Sequence, residues 1–413
     1  MNSSALPTGW KEFQLGDLFK LSNGINAGKS SYGSGTPFIN VLEVIENESL
    51  RESDISGLVT LPPKAKARYE VRRGDVLFNR TSETQDEVGL ASVYLGDAPV
   101  VFGGFVFRGR PVTSNLCVEY AKYALRAPAV RRQITSSGQG GIRANVGQRD
   151  LKSVTVMLPD IPEQRAISGV LDDISTHIRI LERLIAKKQA IKQAMLQQLL
   201  MGHAFFEGSL GPGDEIQLGA ITTWLSGGTP DRNNATYWGG TIPWISAATL
   251  KHSRVYTSDQ HLTEAGLRAG SKIAPAGATL ILVRGMALHR ETRIGMATRP
   301  VSFNQDVKAL IPKPGILPEY LMYALQARSA QVLDLVSSAG SGTGVLDTQL
   351  LQRLSIWVPD ESVQSGIVTA VDAIDRDVEN VLQAIAKARA IKQGMSQELL
   401  SGRTRLSVQE PAL

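Results

Sequence analysis

The chain has 413 residues, of which 42% are hydrophobic and 20% charged, and its formal net charge is +5. That length exceeds one ordinary domain and fits two to four, and the apolar content excludes a disordered chain. A single cysteine, Cys117, excludes a disulfide framework and a cysteine-built zinc site and suits a reducing cytosol, while the mildly basic balance permits a polyanionic partner without demanding one.

Met1 to Trp10 has no basic stretch followed by an apolar one, so no signal peptide is expected. No window approaches 18 uninterrupted apolar residues, so no membrane span is expected either. Residues 1–157 are rich in Gly, Ser and Thr. Their short apolar runs, such as VRRGDVLFN (71–79) and SVTVMLP (153–159), predict short strands punctuated by turns. Around 117–133 the Tyr, Leu and Ala spacing is helical.

Residues 158–206 differ in texture. Apolar residues recur at Ile167, Leu171, Ile174, Ile178, Leu181 and Ile185, alternately four and three apart, which is a heptad seam. A helix of about 38 residues would be roughly 57 Å long, too long to hide in one small domain. Residues 207–357 return to the first texture, with the runs ATLILV (278–283) and LSIWVP (354–359) and a helix expected around 317–336. Residues 358–413 bring back the heptad pattern at Ile367, Val371, Ile374, Val378, Val381 and Ile385. Gly202 and Gly402 stand where the two helices are expected to stop.

The chain is thus an internal repeat. KKQAIKQAMLQQLLMG (187–202) matches KARAIKQGMSQELLSG (387–402), and EYAKYAL (119–125) matches EYLMYAL (319–325), both at an offset of 200. QLGDLFKLSNG (14–24) resembles QLGAITTWLSGG (217–228), at an offset of about 203. The expected fold is α+β. Two homologous globular domains, 1–157 and 207–357, alternate with two helical spacers, 158–206 and 358–413. The helices bury their seams against each other as an antiparallel coiled coil, the direction a pseudo-twofold repeat requires.

No catalytic constellation assembles. SNGINAGKS (22–30) is one residue short of a phosphate loop, and the second half has no counterpart. No methyltransferase motif, nuclease motif or paired-histidine metal motif is present, and five histidines leave little scope for one. What remains are glycine-rich loops bearing polar and basic side chains. In the first half these are Lys29, Ser30 and Tyr32; Asn79, Arg80 and Thr81; and Gln139 and Arg143. In the second they are Thr229, Asn233, Asn234, Tyr237 and Trp238, then Arg284, His289, Arg290 and Arg293. Such side chains hold phosphates and read base edges. The loops differ between the halves while the helices are nearly copied, which suits two readers of different specificity on one scaffold.

The chain resembles the specificity subunit of type I restriction–modification systems. LPDIPEQRAI (158–167), AIKQAMLQQLLMG (190–202) with its echo AIKQGMSQELLSG (390–402), the opening WKEFQLGDLF (10–19) and RRGDVLFNR (72–80) carry the resemblance over nearly the whole length. It implies a non-catalytic chain whose two target-recognition domains each read half of a split, asymmetric site in double-stranded DNA, with the helices as a ruler. Two methyltransferase subunits would dock on it, supplying S-adenosylmethionine chemistry, and restriction subunits would supply ATP- and Mg-dependent cleavage. The chain itself would hold no cofactor or metal and would be cytoplasmic.

Two departures separate the repeats. Val363 stands where the first half has Glu163, so a carboxylate able to cap that helix start is lost, with Asp360 or Ser362 to replace it. Gly394 replaces Ala194, at a cost of about 1 kcal/mol. The rival readings are a protein-binding coiled-coil scaffold without DNA specificity, an enzyme using the Lys29 loop on a nucleotide, and a specificity chain that works only after self-association, which two complete repeats make unnecessary.

Overall fold

The computed structural model describes residues 7–138, 144–200, 213–340 and 342–406. The two long helices are Ile161–Leu200 and Glu361–Leu399. The chain divides into two compact units, one of Met1–Leu181 with Ala384–Leu413 and the other of Glu182–Gln383. Each unit therefore takes part of both long helices, and the helical spacers are not a packing unit of their own.

The first unit has a five-stranded sheet in the order Phe19–Asn23, Val106–Pro111, Val76–Asn79, Ala91–Tyr94 and Ser49–Leu50, antiparallel except for its last pair. A four-stranded sheet follows the order Leu58–Val59, Tyr32–Ile39, Val100–Phe102 and Glu70–Val71. The second unit repeats both orders. Its larger sheet runs Thr222–Ser226, Val307–Pro312, Thr279–Leu282, Ile294–Ala297 and Arg254–Val255. Its smaller sheet runs His261–Leu262, Trp238–Ile245, Val301–Phe303 and Ile273–Ala274. Val76–Asn79 and Thr279–Leu282 are buried at every position, the expected state of central strands covered on both faces. The helical readings near 117–133 and 317–336 each resolve into two helices, Val118–Ala124 with Pro128–Ser137 and Pro318–Ala327 with Ser329–Asp334.

A two-stranded ribbon leads into each long helix. Lys11–Gln14 pairs with Thr155–Leu158, and Gly213–Gln217 with Ser355–Pro359. Just inside each helix a fully buried glutamine serves as a clamp. Gln164 accepts from Cys117 N–H at 2.8 Å and donates to the carbonyls of Asn115 at 2.8 Å and Pro159 at 2.9 Å. Gln364 accepts from Leu317 N–H at 2.9 Å and donates to the carbonyls of Gly315 at 2.9 Å and Pro359 at 2.8 Å. An amide offers an acceptor oxygen and two N–H donors on one side chain, so each glutamine ties a globular loop to the helix start.

Within the second unit the helices run antiparallel. Lys188 pairs with Asp377 and Lys192 with Asp375, each at 2.6 Å, so partner numbers fall as the first rises. Leu196 and Leu200 share one core with Ile367, Val371 and the buried run Tyr320–Leu325. The first unit repeats this, with Leu399 packed among Ile167, Leu171, Tyr120 and Tyr123. All twelve seam residues are buried or half-buried. At its start each seam enters a globular core instead of a purely two-helix interface, because the Tyr-bearing helices cover the flank that a bare pair leaves wet.

A polar knot repeats at the same joint. Tyr123 donates to Asp172 at 2.7 Å, and Lys122 pairs with the same carboxylate. Tyr323 donates to Asp372, which also meets Arg254 at 2.7 Å. Lys392 lies over the Tyr123 ring and Lys192 over Tyr323, at 5.5 and 5.2 Å. Burial pushes both tyrosine hydroxyls well above their usual range, so they remain donors.

Glu163 does not cap its helix. Asp160 does, accepting from the Glu163 N–H at 2.9 Å. The Glu163 carboxylate, 3% exposed, instead receives both ends of the Arg405 guanidinium at 2.6 and 2.7 Å, and Arg405 also donates to the Thr8 carbonyl at 2.6 Å. This gives the carboxylate of the first repeat a role other than capping. Arg405→Ala is expected to lower the melting temperature by stranding a buried carboxylate, and Glu163→Val is expected to recover part of that loss. Equal melting temperatures for Arg405→Ala and wild type would refute the role given to the pair.

Candidate nucleic-acid interface

In each unit the loops singled out by their composition are stitched to one another by backbone bonds. In the first, Ile25 N–H donates to the Phe102 carbonyl at 3.0 Å, and Arg80 N–H to the Phe105 carbonyl at 2.7 Å. Thr81–Ser82 then pairs with Ala144–Asn145, and Thr81 bonds the Asn145 side chain at 2.6 Å. In the second, Gly228 N–H donates to Phe303 at 2.9 Å, Val283 N–H to Asp306 at 2.8 Å, and Arg284 bridges to Val345. The loops after the first and third strands of the larger sheet, the loop near 103–105 or 304–306, and the strand near 144 or 345 therefore form one strip in each unit.

On the first strip, Lys29 and Ser30 are exposed with no recorded partner among the described residues. Tyr32 is exposed, accepts from Ala27 N–H at 3.2 Å, and meets Phe38 edge-on at 5.3 Å. Arg80 is exposed, its guanidinium lying 5.7 Å from the Phe107 ring, and Phe105 projects beside it. Gln148 donates to Asn23 at 2.8 Å at the strip's edge. Gln139 and Arg143 lie outside the described residues.

Asn79 is a correction. It is 0% exposed and continues the central strand opposite Val106, so no ligand reaches it, and neither side-chain polar atom has a hydrogen-bond partner among the described residues. A polar residue after an apolar run reads as the start of a loop, but the ladder continues through it.

On the second strip, Thr229 donates to Gln305 at 2.7 Å and Arg284 is exposed. His289 is exposed and its Nε2 meets the Gly342 carbonyl at 2.8 Å. Arg290 is exposed, as is Asn233, while Tyr237 and Trp238 are half-buried. Two further residues are held in part by local bonding. Asn234 uses its side-chain oxygen to cap the turn at Ala235–Tyr237, accepting from Thr236 N–H at 3.1 Å and its hydroxyl at 2.7 Å. Arg293 is spent on Glu291 at 2.8 Å and on the Ala247 carbonyl.

Composition missed Arg232. Its guanidinium lies 5.2 Å from the Trp238 ring and 5.1 Å from the Trp244 ring. Two tryptophans six apart on a regular strand would lie about 20 Å apart, and it is the register break between Trp238 and Ile242 that brings their rings together, so no local pattern announced the pair. Gln305 and Phe105 were also missed: Gln305 stands in no basic or glycine-rich cluster, and Phe105, after Gly103 and Gly104, is neither polar nor basic.

The strips present donors, acceptors and aromatic faces. Among the described residues no three His, Cys, Asp or Glu side chains are grouped as a metal site needs, and no helix is long and apolar enough to cross a membrane. Cys117 hydrogen-bonds Glu119 at 3.1 Å, and burial raises its thiol pKa, the opposite of an activated nucleophile.

A family model described as the type I restriction modification DNA specificity domain matches residues 7–192 and again 214–387. The chain is 28% identical over 249 residues to the EcoR124I/EcoR124II specificity subunit of Escherichia coli, covering 59% of this chain and 60% of that protein. It is 30% identical over 158 residues to the MjaIX specificity subunit of Methanocaldococcus jannaschii, covering 37% of this chain and 36% of that one. These alignments span less than two thirds of either relative. Among solved structures, a chain from a study of type I R-M system assembly and conformational transition superposes with a TM-score of 0.62 at 18% identity, covering 97% of this chain and all of that one. The type I S subunit from M. genitalium gives a TM-score of 0.57 at 16% identity, covering 97% of each. At such identities the structural likeness concerns the fold.

Proposed function

The chain belongs to the type I restriction–modification DNA specificity family, and we propose that its two globular domains each read one half of a split, asymmetric sequence in double-stranded DNA. One observation carries the reading: two copies of one topology, held by matching glutamine clamps, present different side chains on corresponding strips. A duplicated protein-binding scaffold would have no need for the divergence to fall on Arg, Asn, Gln and Thr in loops. The antiparallel helix pair sets the gap between half-sites. Rigid joining makes the second half-site contact intramolecular, which multiplies the limited discrimination of a few base pairs.

The chain acts without catalytic groups of its own. Two methyltransferase subunits dock on it, and restriction subunits complete an ATP-dependent nuclease. S-adenosylmethionine, and ATP with Mg, belong to those partners. Support for two copies of one partner comes from Ile191 and Ile391, which occupy the same position in the two long helices and remain 48% and 44% exposed. The reading implies a cytoplasmic protein.

Co-expression with its methyltransferase partner, followed by mapping of methylated bases across a genome, tests this. The expected result is one bipartite motif with a constant gap that disappears when this chain is omitted. Continuous or chain-independent methylation would overturn the reading.

A further inference from the structure

Arg232 stands apart from the other arginines of the second strip. It is exposed, yet oriented by two aromatic rings. Trp244 is 1% exposed and donates its indole N–H to the Gly228 carbonyl at 3.1 Å. Trp238 donates to the Asp231 carbonyl at 3.1 Å and meets Trp244 edge-on at 5.2 Å. The loop bearing Arg232 is thus pinned to the same platform on which the guanidinium rests. Among the described residues no carboxylate, carbonyl or hydroxyl accepts from that guanidinium. Its faces are engaged and its N–H fork is free, so little rotamer entropy remains to be lost on binding.

The fork borders a cleft of about 430 Å³ lined also by Gly239, Gly240, Asp259, Gln260 and His261. Asp259 and Gln260 are exposed and have no recorded side-chain partner among the described residues. A carboxylate lining the same cleft argues against a phosphate there, which Asp259 would repel. A base pair suits the set. Guanine offers two acceptors, O6 and N7, to an arginine fork, and the cytosine N4 amino group donates to a carboxylate.

We propose that Arg232, preorganised by Trp238 and Trp244, reads the guanine of one G·C pair in the half-site of the second domain, with Asp259 placed for the cytosine. This rests on the DNA-reading function proposed above. The first domain keeps the aromatic pair as Tyr32 and Phe38 but has no arginine between Phe19–Asn23 and Tyr32–Ile39, in a loop three residues shorter. The first domain therefore lacks this arginine reader, and a G·C pair read by an arginine fork at this position belongs to the second half-site alone.

The test uses the full chain in its methyltransferase complex, with Arg232→Ala and Arg232→Lys beside wild type. In both variants one G·C position of one half-site is expected to become degenerate, with discrimination falling about 10- to 100-fold. The other half-site and the gap should stay unchanged, which also shows that the variant chain is folded. Lysine keeps the charge and loses the fork, so it separates base reading from phosphate contact. An unchanged motif with uniformly weaker binding, a salt slope lower by about one, and rescue by lysine would overturn the proposal in favour of a phosphate contact. Should Arg232→Ala abolish methylation altogether, competition binding of the wild-type complex to duplexes carrying 7-deazaguanine at single positions decides. One guanine should then matter about tenfold, and the absence of any sensitive guanine overturns the proposal. A wild-type complex with no chain-dependent motif would instead sink the underlying function.

Discussion

Gln364→Ala is expected to destabilise the second unit by about 2–4 kcal/mol, a large effect for the removal of one neutral side chain. The substitution deletes three hydrogen bonds and leaves the Leu317 N–H and the carbonyls of Gly315 and Pro359 without their partner. Gly315 is exposed, and water can satisfy its carbonyl. The contact to Pro359 is buried, where an unpaired acceptor costs most. Gln364→Glu separates acceptor from donor roles. It keeps the acceptor for Leu317 N–H, loses both donations and adds a buried charge, so it should be at least as damaging. Gln164→Ala should have a matching effect on the first unit, with Cys117, Asn115 and Pro159 as the stranded groups. Denaturant melts and hydrogen exchange at the Leu317 and Cys117 amides measure both. A loss below about 0.5 kcal/mol in each unit would mean that the clamp is incidental.

Deleting one heptad from each long helix, residues 179–185 and 380–386, is expected to shorten the recognised gap without changing either half-site. Seven residues are nearly two helical turns, so the seam keeps its face. The pairs Lys188–Asp377 and Lys192–Asp375, and Glu163–Arg405, lie outside the deleted segments. The lost length is about 10 Å, or about three base pairs of DNA if fully transmitted. Deletion from one helix alone should abolish activity, since it throws one seam out of register with the other. Methylome mapping of the doubly deleted chain reads the outcome directly. An unchanged gap would refute the idea that the helices are the ruler.

Much of this architecture was legible in advance. Helical seams announce themselves because a 3.5-residue period survives in any context that buries one face, and the repeat doubled that signal. The strand readings at VRRGDVLFN and ATLILV also stand, since short apolar runs between glycines leave few alternatives. Side-chain roles were less legible. Glu163 meets Arg405 across 242 positions, and no local pattern predicts such a partner. Asn79 looked like a loop residue because its neighbours to one side are apolar and to the other polar, while its strand pairing with Val106 is set by a segment far along the chain. Asn234 and Arg293 have the right chemistry for a nucleic acid, and no local pattern shows that a turn uses the Asn234 oxygen and Glu291 part of the Arg293 guanidinium. Arg232 was hidden by a local Asp-Arg-Asn-Asn run that reads as a turn, whereas its function depends on a strand that follows.

The way each compact unit draws on both long helices bears on ancestry. A chain ending after its first long helix would hold one recognition domain and half of the helical material that completes it, with Ile167 and Leu171 lacking the last turn of a partner. Two such half-length chains could supply that turn to each other, rebuilding the assembly as a homodimer. Its two readers would be identical, and its target would be an interrupted palindrome. Carrying both readers on one polypeptide releases the second from having to match the first.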